Sequence, residues 1–284
     1  TTPEKWDIIT RKGMDRSYAQ LVKLIIIDEI HLLHDLRGSV LESIISRTIR
    51  NIEKTENLIR LIGLSATMPN YKDIADFLRV KYNKGLFVFN SNYRPIPLVS
   101  RFAGITLKKP FKQMTLMNEL CYEYIKEQVQ HQQQCIVFVH SRKETSNTAK
   151  DLLKKFKDAN ELQLVLPEDG ADREILQQEA ANEDNDISSS DLLEILPYGF
   201  GIHHAGMTRE DRVLIEDLFK ARVLKVLVST ATLAWGVNMP AHAVIIKGTQ
   251  IYNPMLSKWT ELSMLDILQM FGRAGRPDTG DKYG

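Results

Sequence analysis

The chain of 284 residues has little of what marks several large classes of protein. It contains only two cysteines, Cys121 and Cys135, with no CxxC pair and no paired histidines at the spacing of a zinc site. A disulfide framework or a zinc module is therefore not expected, and a reducing compartment is the default. No apolar run approaches the ~20 residues that span a bilayer, so we expect no membrane segment.

An excess of either charge is also lacking. The chain has 37 basic and 36 acidic residues, and its formal net charge is +1. Any site for phosphate or nucleic acid must then be a local basic groove, because the whole molecule does not attract anions. Apolar residues make up 43% and charged residues 26%, as in ordinary globular proteins, and the length predicts about two domains.

Short apolar runs alternate along the chain with helical patterns, which is typical of βαβ units around a parallel sheet. Between the first two runs, Leu41, Ile44 and Ile45 fall on one helix face. Asn70 and Thr208 are predicted helix N-caps, each with an aspartate three residues on. The predicted strands are 24–27, 58–64, 86–89, 136–139, 200–202, 226–228 and 244–246.

One segment separates two such α/β blocks. The run Tyr93-Arg94-Pro95-Ile96-Pro97 is not expected to be helical, because proline biases its predecessor towards extended backbone. We predict two domains over residues 1–92 and 93–284, joined near residues 91–99.

An acidic pair follows the first predicted strand, in the order Asp28-Glu29-Ile30-His31. Carboxylates at the carboxyl end of a parallel strand lie where open α/β sheets bind ligands. This is the Walker B arrangement, in which Asp28 would hold Mg²⁺ and Glu29 would orient and deprotonate the attacking water. A lone acidic pair is more often a surface turn, but the preceding apolar strand favours the site. Ser65-Ala66-Thr67 follows the next strand and would bring small hydroxyls beside it.

Four further segments carry polar or small residues after strands or helices. Gln269 to Pro277 ends a helical pattern, and its Arg273 and Arg276 are predicted to share a helix face and to suit phosphate oxygens. The loop 229–238 is rich in small residues that let a backbone or a phosphate approach closely. Loops with polar tips also occur at 140–142 and 203–206. The adjacent histidines at 203 and 204 have no third ligand nearby, so no metal site is expected there.

In this order, the segments DEIH, SAT, VFVHS, HHAGM, STATLAWGVN and QMFGRAGRP resemble the motifs of the DExH-box helicases of superfamily two. The opening TTPEKWD is similar to a single-strand-contacting motif of their Ski-type branch. The resemblance covers essentially the whole chain. It implies an α/β fold of two RecA-like domains with parallel sheets, the first truncated at its amino terminus.

The resemblance also implies roles for individual residues. Asp28 would bind Mg²⁺, Glu29 would be the base, and ATP would be the nucleotide. His31, Ser65 and Thr67 would couple hydrolysis to motion. The residues implied to reach the nucleotide from the second domain are Gln269, Arg273, Arg276, Gly236 and Asn238. The residues implied to lie along the nucleic-acid track are Thr2, Pro3, Arg142, His204, Gly206 and Thr230.

Within the family, the segments DEIHLLHD, VFVHSRKET and LPYGFGIHHAGMTR are most similar to the amino-terminal cassette of the spliceosomal RNA helicases. This implies a nuclear enzyme that translocates 3′ to 5′ on RNA, with spliceosomal protein partners and no membrane. Two alternatives stay open: a sister two-cassette helicase of DNA repair and transcription coactivation, and a non-catalytic cassette that binds partners.

One family feature is missing. The 284 residues contain no G-x-x-x-x-G-K-[ST] segment, which supplies the backbone cradle for phosphates. The missing segment and the absent initiating methionine predict a fragment that is inactive alone.

Overall fold

The computed structural model forms two compact units, Thr1–Phe89 and Asn90–Gly284. The residues that it describes are 1–11, 19, 21–34, 38–55, 58–181, 187, 189–237, 239–253 and 256–275.

The first unit is built around one βαβ crossover. Strands β1 (Leu24–Ile27) and β2 (Arg60–Gly63) pair in parallel, with Ile25 opposite Leu61, and helix α2 (Gly38–Thr55) connects them. The predicted apolar face of α2 is confirmed, because it buries Leu41, Ile44 and Ile45. In chain order, the elements of the first unit are α1 (Pro3–Arg11), β1 (Leu24–Ile27), a 3-10 turn (Ile30–His34), α2 (Gly38–Thr55), β2 (Arg60–Gly63), α3 (Tyr71–Phe77) and α4 (Tyr82–Gly85).

One local prediction for this unit is wrong, and a second is confirmed only in position. Residues 86–89 form no strand, and Phe87 is 72% exposed. An apolar run needs a neighbouring strand to complete its hydrogen bonds, and in the described part of the chain this run has none. Asn70 is the N-cap residue of α3 and Asp73 lies in its first turn, as predicted, but the Asn70 side chain makes no capping hydrogen bond. Its backbone carbonyl accepts from the N–H of Asp73 instead, at 3.1 Å.

The second unit contains a fully parallel four-stranded sheet, in the order β4 (Phe200–His203), β5 (Val226–Thr230), β3 (Cys135–Val139) and β6 (Ala243–Ile246). Its central strands β3 and β5 pair Ile136 with Leu227 and are almost entirely buried. Every residue of β3 is buried, so the sheet is covered on both faces, as is usual for parallel sheets. The strands are β3 (Cys135–Val139), β4 (Phe200–His203), β5 (Val226–Thr230) and β6 (Ala243–Ile246), with an antiparallel pair β7 (Gln250–Asn253) and β8 (Lys258–Glu261).

Helices connect these strands and supply the rest of the core. Helix α6 (Arg142–Asp158) packs against β4 and β5, and α5 (Pro110–Val129) packs against β3. The Thr208 cap is confirmed, because its hydroxyl accepts from the N–H of Asp211 at 3.1 Å. The helices are α5 (Pro110–Val129), α6 (Arg142–Asp158), α7 (Gly170–Ala181), α8 (Ser190–Ile195), α9 (Arg209–Lys220), α10 (Thr232–Gly236) and α11 (Met264–Phe271), with 3-10 turns at Ser91–Tyr93, Leu162–Leu164 and Leu196–Tyr198. None of the described helices combines the length and apolar character needed to cross a membrane.

The direction of the strands determines where polar side chains gather. Because all four strands of the β4-β5-β3-β6 sheet run the same way, the loops after them meet at one edge of that sheet. These loops begin with His140 after β3, His204 after β4 and Lys247 after β6, while Thr230 ends β5. In the first unit, Asp28 after β1 and Leu64 after β2 share an edge for the same reason.

Candidate functional site

The carboxylate pair of the first unit lies directly at the carboxyl end of β1. Asp28 is exposed, and one of its carboxylate oxygens accepts from the backbone N–H of Glu29 at 2.9 Å. Glu29 has a φ of 52°, a left-handed conformation that few residues other than glycine adopt. Two neighbouring carboxylates are therefore presented at the edge of the sheet by a strained turn.

His31 joins this pair to the residues that follow β2. Its ring is buried, and Nδ1 accepts from the backbone N–H of Ala66 at 3.2 Å, with Oγ of Ser65 3.4 Å away. A backbone N–H can only donate, so Nδ1 is unprotonated and the ring proton is on Nε2. Nε2 lies 3.2 Å from a carboxylate oxygen of Glu29. Burial lowers the pKa of His31, and the charge of Glu29 opposes this shift.

The neighbouring strand ends are held together by backbone bonds. Ile30 donates to the carbonyl of Leu64 at 2.9 Å, and Leu64 donates to that of Ile27 at 2.8 Å. This pairing continues the ladder beyond β1 and β2, and it brings Glu29, His31 and Ser65 into one cluster. Thr67 is exposed two residues further on. Its role as a coupling residue stays a prediction.

The donor set at Asp28 and Glu29 fits Mg²⁺ in one specific sense. Mg²⁺ in phosphoryl-transfer sites is held by one or two carboxylates together with substrate phosphates, not by an all-protein cage. Over the described ranges, no group of three or more His, Cys, Asp or Glu side chains is arranged to hold a metal. Asp28 with Glu29 beside it matches a site in which one or two carboxylates hold Mg²⁺ together with substrate phosphates.

Helix α1 carries the two amino-terminal residues of the predicted nucleic-acid track. Thr2 caps it, since its hydroxyl oxygen accepts from the backbone N–H of Lys5 at 3.4 Å, and Pro3 is its first residue. Asp7 on its inner face accepts from Arg47 of α2, a hydrogen bond that lowers the pKa of the Asp7 carboxyl. Sequence reasoning missed the pair, because 40 residues separate its members.

Three residues predicted to contact nucleic acid are brought together in the second unit. Arg142 is exposed in the first turn of α6, and its side chain runs across Gly206. A Cβ on Gly206 would lie 2.9 Å from both Cδ and Nη1 of Arg142. The Gly206 N–H donates to Nδ1 of His204 at 3.1 Å. Burial, followed by the positive charge of Arg142, lowers the pKa of His204.

Thr230 ends β5, the strand between β4 and β3 in the sheet, and pairs in register with Val139. Its hydroxyl lies 2.9 Å from that of Thr232. The buried Ser229 before it donates to the carbonyl of His203 at 2.8 Å. These bonds join the ends of β4 and β5, so Thr230 lies at the same edge as Arg142 and His204.

The predicted helical placement of the two arginines is wrong for Arg273. Helix α11 ends at Phe271, and the backbone beyond it turns, so that Ala274 bridges to Ala241. Arg273 is buried, and its guanidinium donates to the carbonyl of Ala234 in α10. It therefore connects the end of α11 to the loop after β5.

The other residues predicted to reach the nucleotide are placed as follows. Gln269 is half-buried in the last turns of α11, and Gly236 is the last residue of α10. Asn238 and Arg276 lie outside the described residues. Contact of these residues and of Arg273 with a nucleotide stays a prediction.

Comparison with known families agrees with this arrangement. A family model described as DEAD/DEAH box helicase matches residues 1–74, and one described as helicase conserved C-terminal domain matches residues 177–278. The chain belongs to the DExH-box helicases and is built from two RecA-like domains.

Individual relatives are similar over almost the whole chain. The U5 small nuclear ribonucleoprotein 200 kDa helicase is 57% identical over 281 residues in Drosophila melanogaster and 58% identical over 281 residues in Homo sapiens, covering 99% of this chain in each case. The pre-mRNA-splicing factor brr2 of Schizosaccharomyces pombe is 58% identical over 286 residues, covering 100% of this chain. The chain spans 13% of the length of each of these relatives.

Proposed function

We propose that this chain is part of an ATP-dependent RNA helicase of the spliceosome, which unwinds RNA duplexes by translocating 3′ to 5′. The observation that carries the proposal is the contact of Glu29 with His31 and of His31 with Ala66. It links the carboxylate pair to the SAT segment, as an enzyme that couples hydrolysis to movement needs. The similarity to proteins named U5 small nuclear ribonucleoprotein 200 kDa helicase supports the choice of RNA and of the spliceosome.

On this proposal, the first unit provides the acidic part of the nucleotide site. Asp28 holds Mg²⁺, and Glu29 orients the attacking water and accepts its proton. Mg²⁺, when bound, neutralises charge that develops on the phosphates. The residues that act on the nucleotide from the second domain are Gln269, Arg273, Arg276, Gly236 and Asn238. We propose 1–92 and 93–284 as the domain limits.

The nucleic-acid track comprises Thr2, Pro3, Arg142, His204, Gly206 and Thr230. Of these groups, the exposed guanidinium of Arg142 is expected to bind phosphate most tightly, because it can do so in a bidentate manner. Phosphate contacts of this kind position a strand without reading its sequence. Spliceosomal proteins as partners and a nuclear location follow from the same proposal.

Competition binding and hydrolysis test the proposal in the full-length protein that contains this chain. We expect single-stranded RNA to stimulate ATP hydrolysis and to compete better than DNA of the same sequence for the binding site. Glu29→Gln should abolish hydrolysis while RNA binding persists, because the carboxylate acts on water and not on the strand. Equal or better competition by DNA would favour the repair-type alternative. Hydrolysis unchanged in Glu29→Gln would overturn the assigned site.

A further inference from the structure

A lysine that no motif contains lies buried beside the candidate nucleic-acid track. Lys247 directly follows β6, and its side chain is 2% exposed. Its ammonium donates to Oε1 of Glu144 at 2.6 Å and to Oγ1 of Thr148 at 2.7 Å. Removing an ammonium from water is costly unless it is paired and hydrogen-bonded, and here both conditions are met. The pair joins β6 to the start of α6 across 103 residues of sequence.

A second set of bonds holds the same two segments together. Lys247 donates its backbone N–H to the carbonyl of Phe138 at 2.9 Å. Nε2 of His140 lies 2.6 Å from the carbonyl oxygen of Gly248, and since a carbonyl only accepts, His140 is the donor. The residues after β6 are therefore attached both to the loop after β3 and to the helix that follows it.

The segment held in this way carries Arg142. Glu144 lies two residues further along the same first turn of α6, and its N–H donates to the capping hydroxyl of Ser141 at 3.1 Å. Glu144 thus has its backbone fixed by the cap and its carboxylate fixed by Lys247. Arg142 leaves this turn and extends over Gly206, where only the lack of a Cβ gives it room.

We propose that Lys247 is a positioning residue for Arg142. Through Glu144 it sets the first turn of α6, so that the Arg142 guanidinium is presented over Gly206 to a backbone phosphate of single-stranded nucleic acid. Lys247 is too buried to meet a phosphate itself, so any effect on binding passes through Arg142. The inference rests on the nucleic-acid role proposed for Arg142.

The test is a double-mutant cycle on the full-length protein, read out as the salt dependence of binding to single-stranded RNA. Because K falls as the salt concentration rises, the slope of log K against log salt is taken as a magnitude, and each phosphate contact contributes about 0.7 to it on a single strand. We expect Arg142→Ala and Lys247→Met each to lower the slope by about 0.7, and the double variant to lower it no further.

A matched control removes an ion-paired lysine elsewhere in the unit. Lys126 of α5 donates to Glu161 at 2.6 Å and is 28% exposed. Lys126→Met should leave the slope at the wild-type value. If Lys247→Met does not fold, Glu144→Gln tests the same ion pair from its other side. This variant should also lower the slope.

The outcomes separate the two proposals. If Arg142→Ala lowers the slope while folded Lys247→Met and Glu144→Gln leave it unchanged, Lys247 only stabilises the fold and this inference is wrong, although the proposed function stands. If the slope of the double variant decreases by the sum of the two single-variant decreases, the residues act independently and the inference is again overturned. If Arg142→Ala leaves the slope unchanged, Arg142 contacts no phosphate, and both proposals about it fail.

Discussion

The backbone N–H of Ala66 donates to Nδ1 of His31 at 3.2 Å, and this bond determines which ring nitrogen of the buried histidine carries its proton. Nε2, which consequently carries the proton, lies 3.2 Å from a carboxylate oxygen of Glu29. On the proposed function, a change at Glu29 during hydrolysis would reach the segment after β2 through this one side chain. This geometry is the basis of the coupling role that we propose for His31.

The first prediction concerns this coupling. In the full-length protein, His31→Ala should reduce duplex unwinding about tenfold more than it reduces RNA-stimulated ATP hydrolysis, since a lost hydrogen bond of roughly 1.5 kcal/mol corresponds to about a factor of ten. The measurement is the number of strands separated per ATP hydrolysed. His131→Ala, which removes an exposed histidine of the other unit, is the control. An equal loss of both activities would place His31 in the chemistry or in the fold.

The second prediction concerns Gly206. Gly206→Ala should weaken binding to single-stranded RNA and lower the salt slope by up to about 0.7, because the new Cβ displaces Arg142. The atoms that it meets belong to a flexible side chain, so the free energy of unfolding should change little. Gly104→Ala is the matched control, since a Cβ there has no heavy atom within 4 Å. A wild-type slope in Gly206→Ala would contradict the assigned position of Arg142.

The third prediction is a pH dependence of stability in the second unit. The pKa of His203 is lowered from 6.5, chiefly by burial, although Glu216 lies 3.1 Å from its Nε2 and opposes the shift. The unfolded chain therefore binds a proton more readily than the folded one. Stability from this group is complete above pH 6.5 and is lost as the pH falls below it, by at most about 1.4 kcal/mol per pH unit.

Denaturant unfolding of the wild type and of His203→Gln at pH 7.5 and in acid tests this sign. The variant should lose less stability on acidification than the wild type, because it has no imidazole to protonate. Groups remote from His203 contribute equally to both proteins and cancel in the comparison. Stability that falls in parallel for the two proteins would show that His203 does not contribute.

The fourth prediction concerns the 284-residue chain by itself. It contains no G-x-x-x-x-G-K-[ST] segment to cradle phosphates, and positioning supplies most of the catalysis in phosphoryl transfer. We expect no phosphate release above the level of the Glu29→Gln chain over several hours, with or without RNA. Turnover above that control would mean that the cradle is dispensable.

Sequence patterns predicted much of this fold for physical reasons that are local. Most of the predicted strands and the buried face of α2 follow from the periodicity of apolar residues over a few turns. The closeness of Glu29, His31 and Ser65 can also be predicted from the sequence, because residues that follow adjacent parallel strands meet at the same edge of the sheet. The failed strand at 86–89 shows the limit, since a strand also needs a partner that no local pattern reveals.

The features that were missed depend on contacts distant in sequence. Lys247 and Glu144 are 103 residues apart and form no sequence motif. One signal was available, since Lys247 directly follows an apolar strand, as Asp28 does. The turn beyond α11 was missed for a related reason. Gly272 to Gly275 can continue a helix or leave it, and the bridge from Ala274 to Ala241 decides between them.

The most direct measurement of the central claim compares two RNA duplexes with identical paired regions, one with a 3′ single-stranded overhang and one with a 5′ overhang. The full-length protein should separate the 3′-tailed duplex in the presence of ATP and leave the 5′-tailed duplex largely intact. Glu29→Gln, which lacks the proposed base, should separate neither while still binding both. Unwinding that is indifferent to the overhang, or that persists without the Glu29 carboxylate, would contradict ATP-driven 3′-to-5′ translocation by this protein.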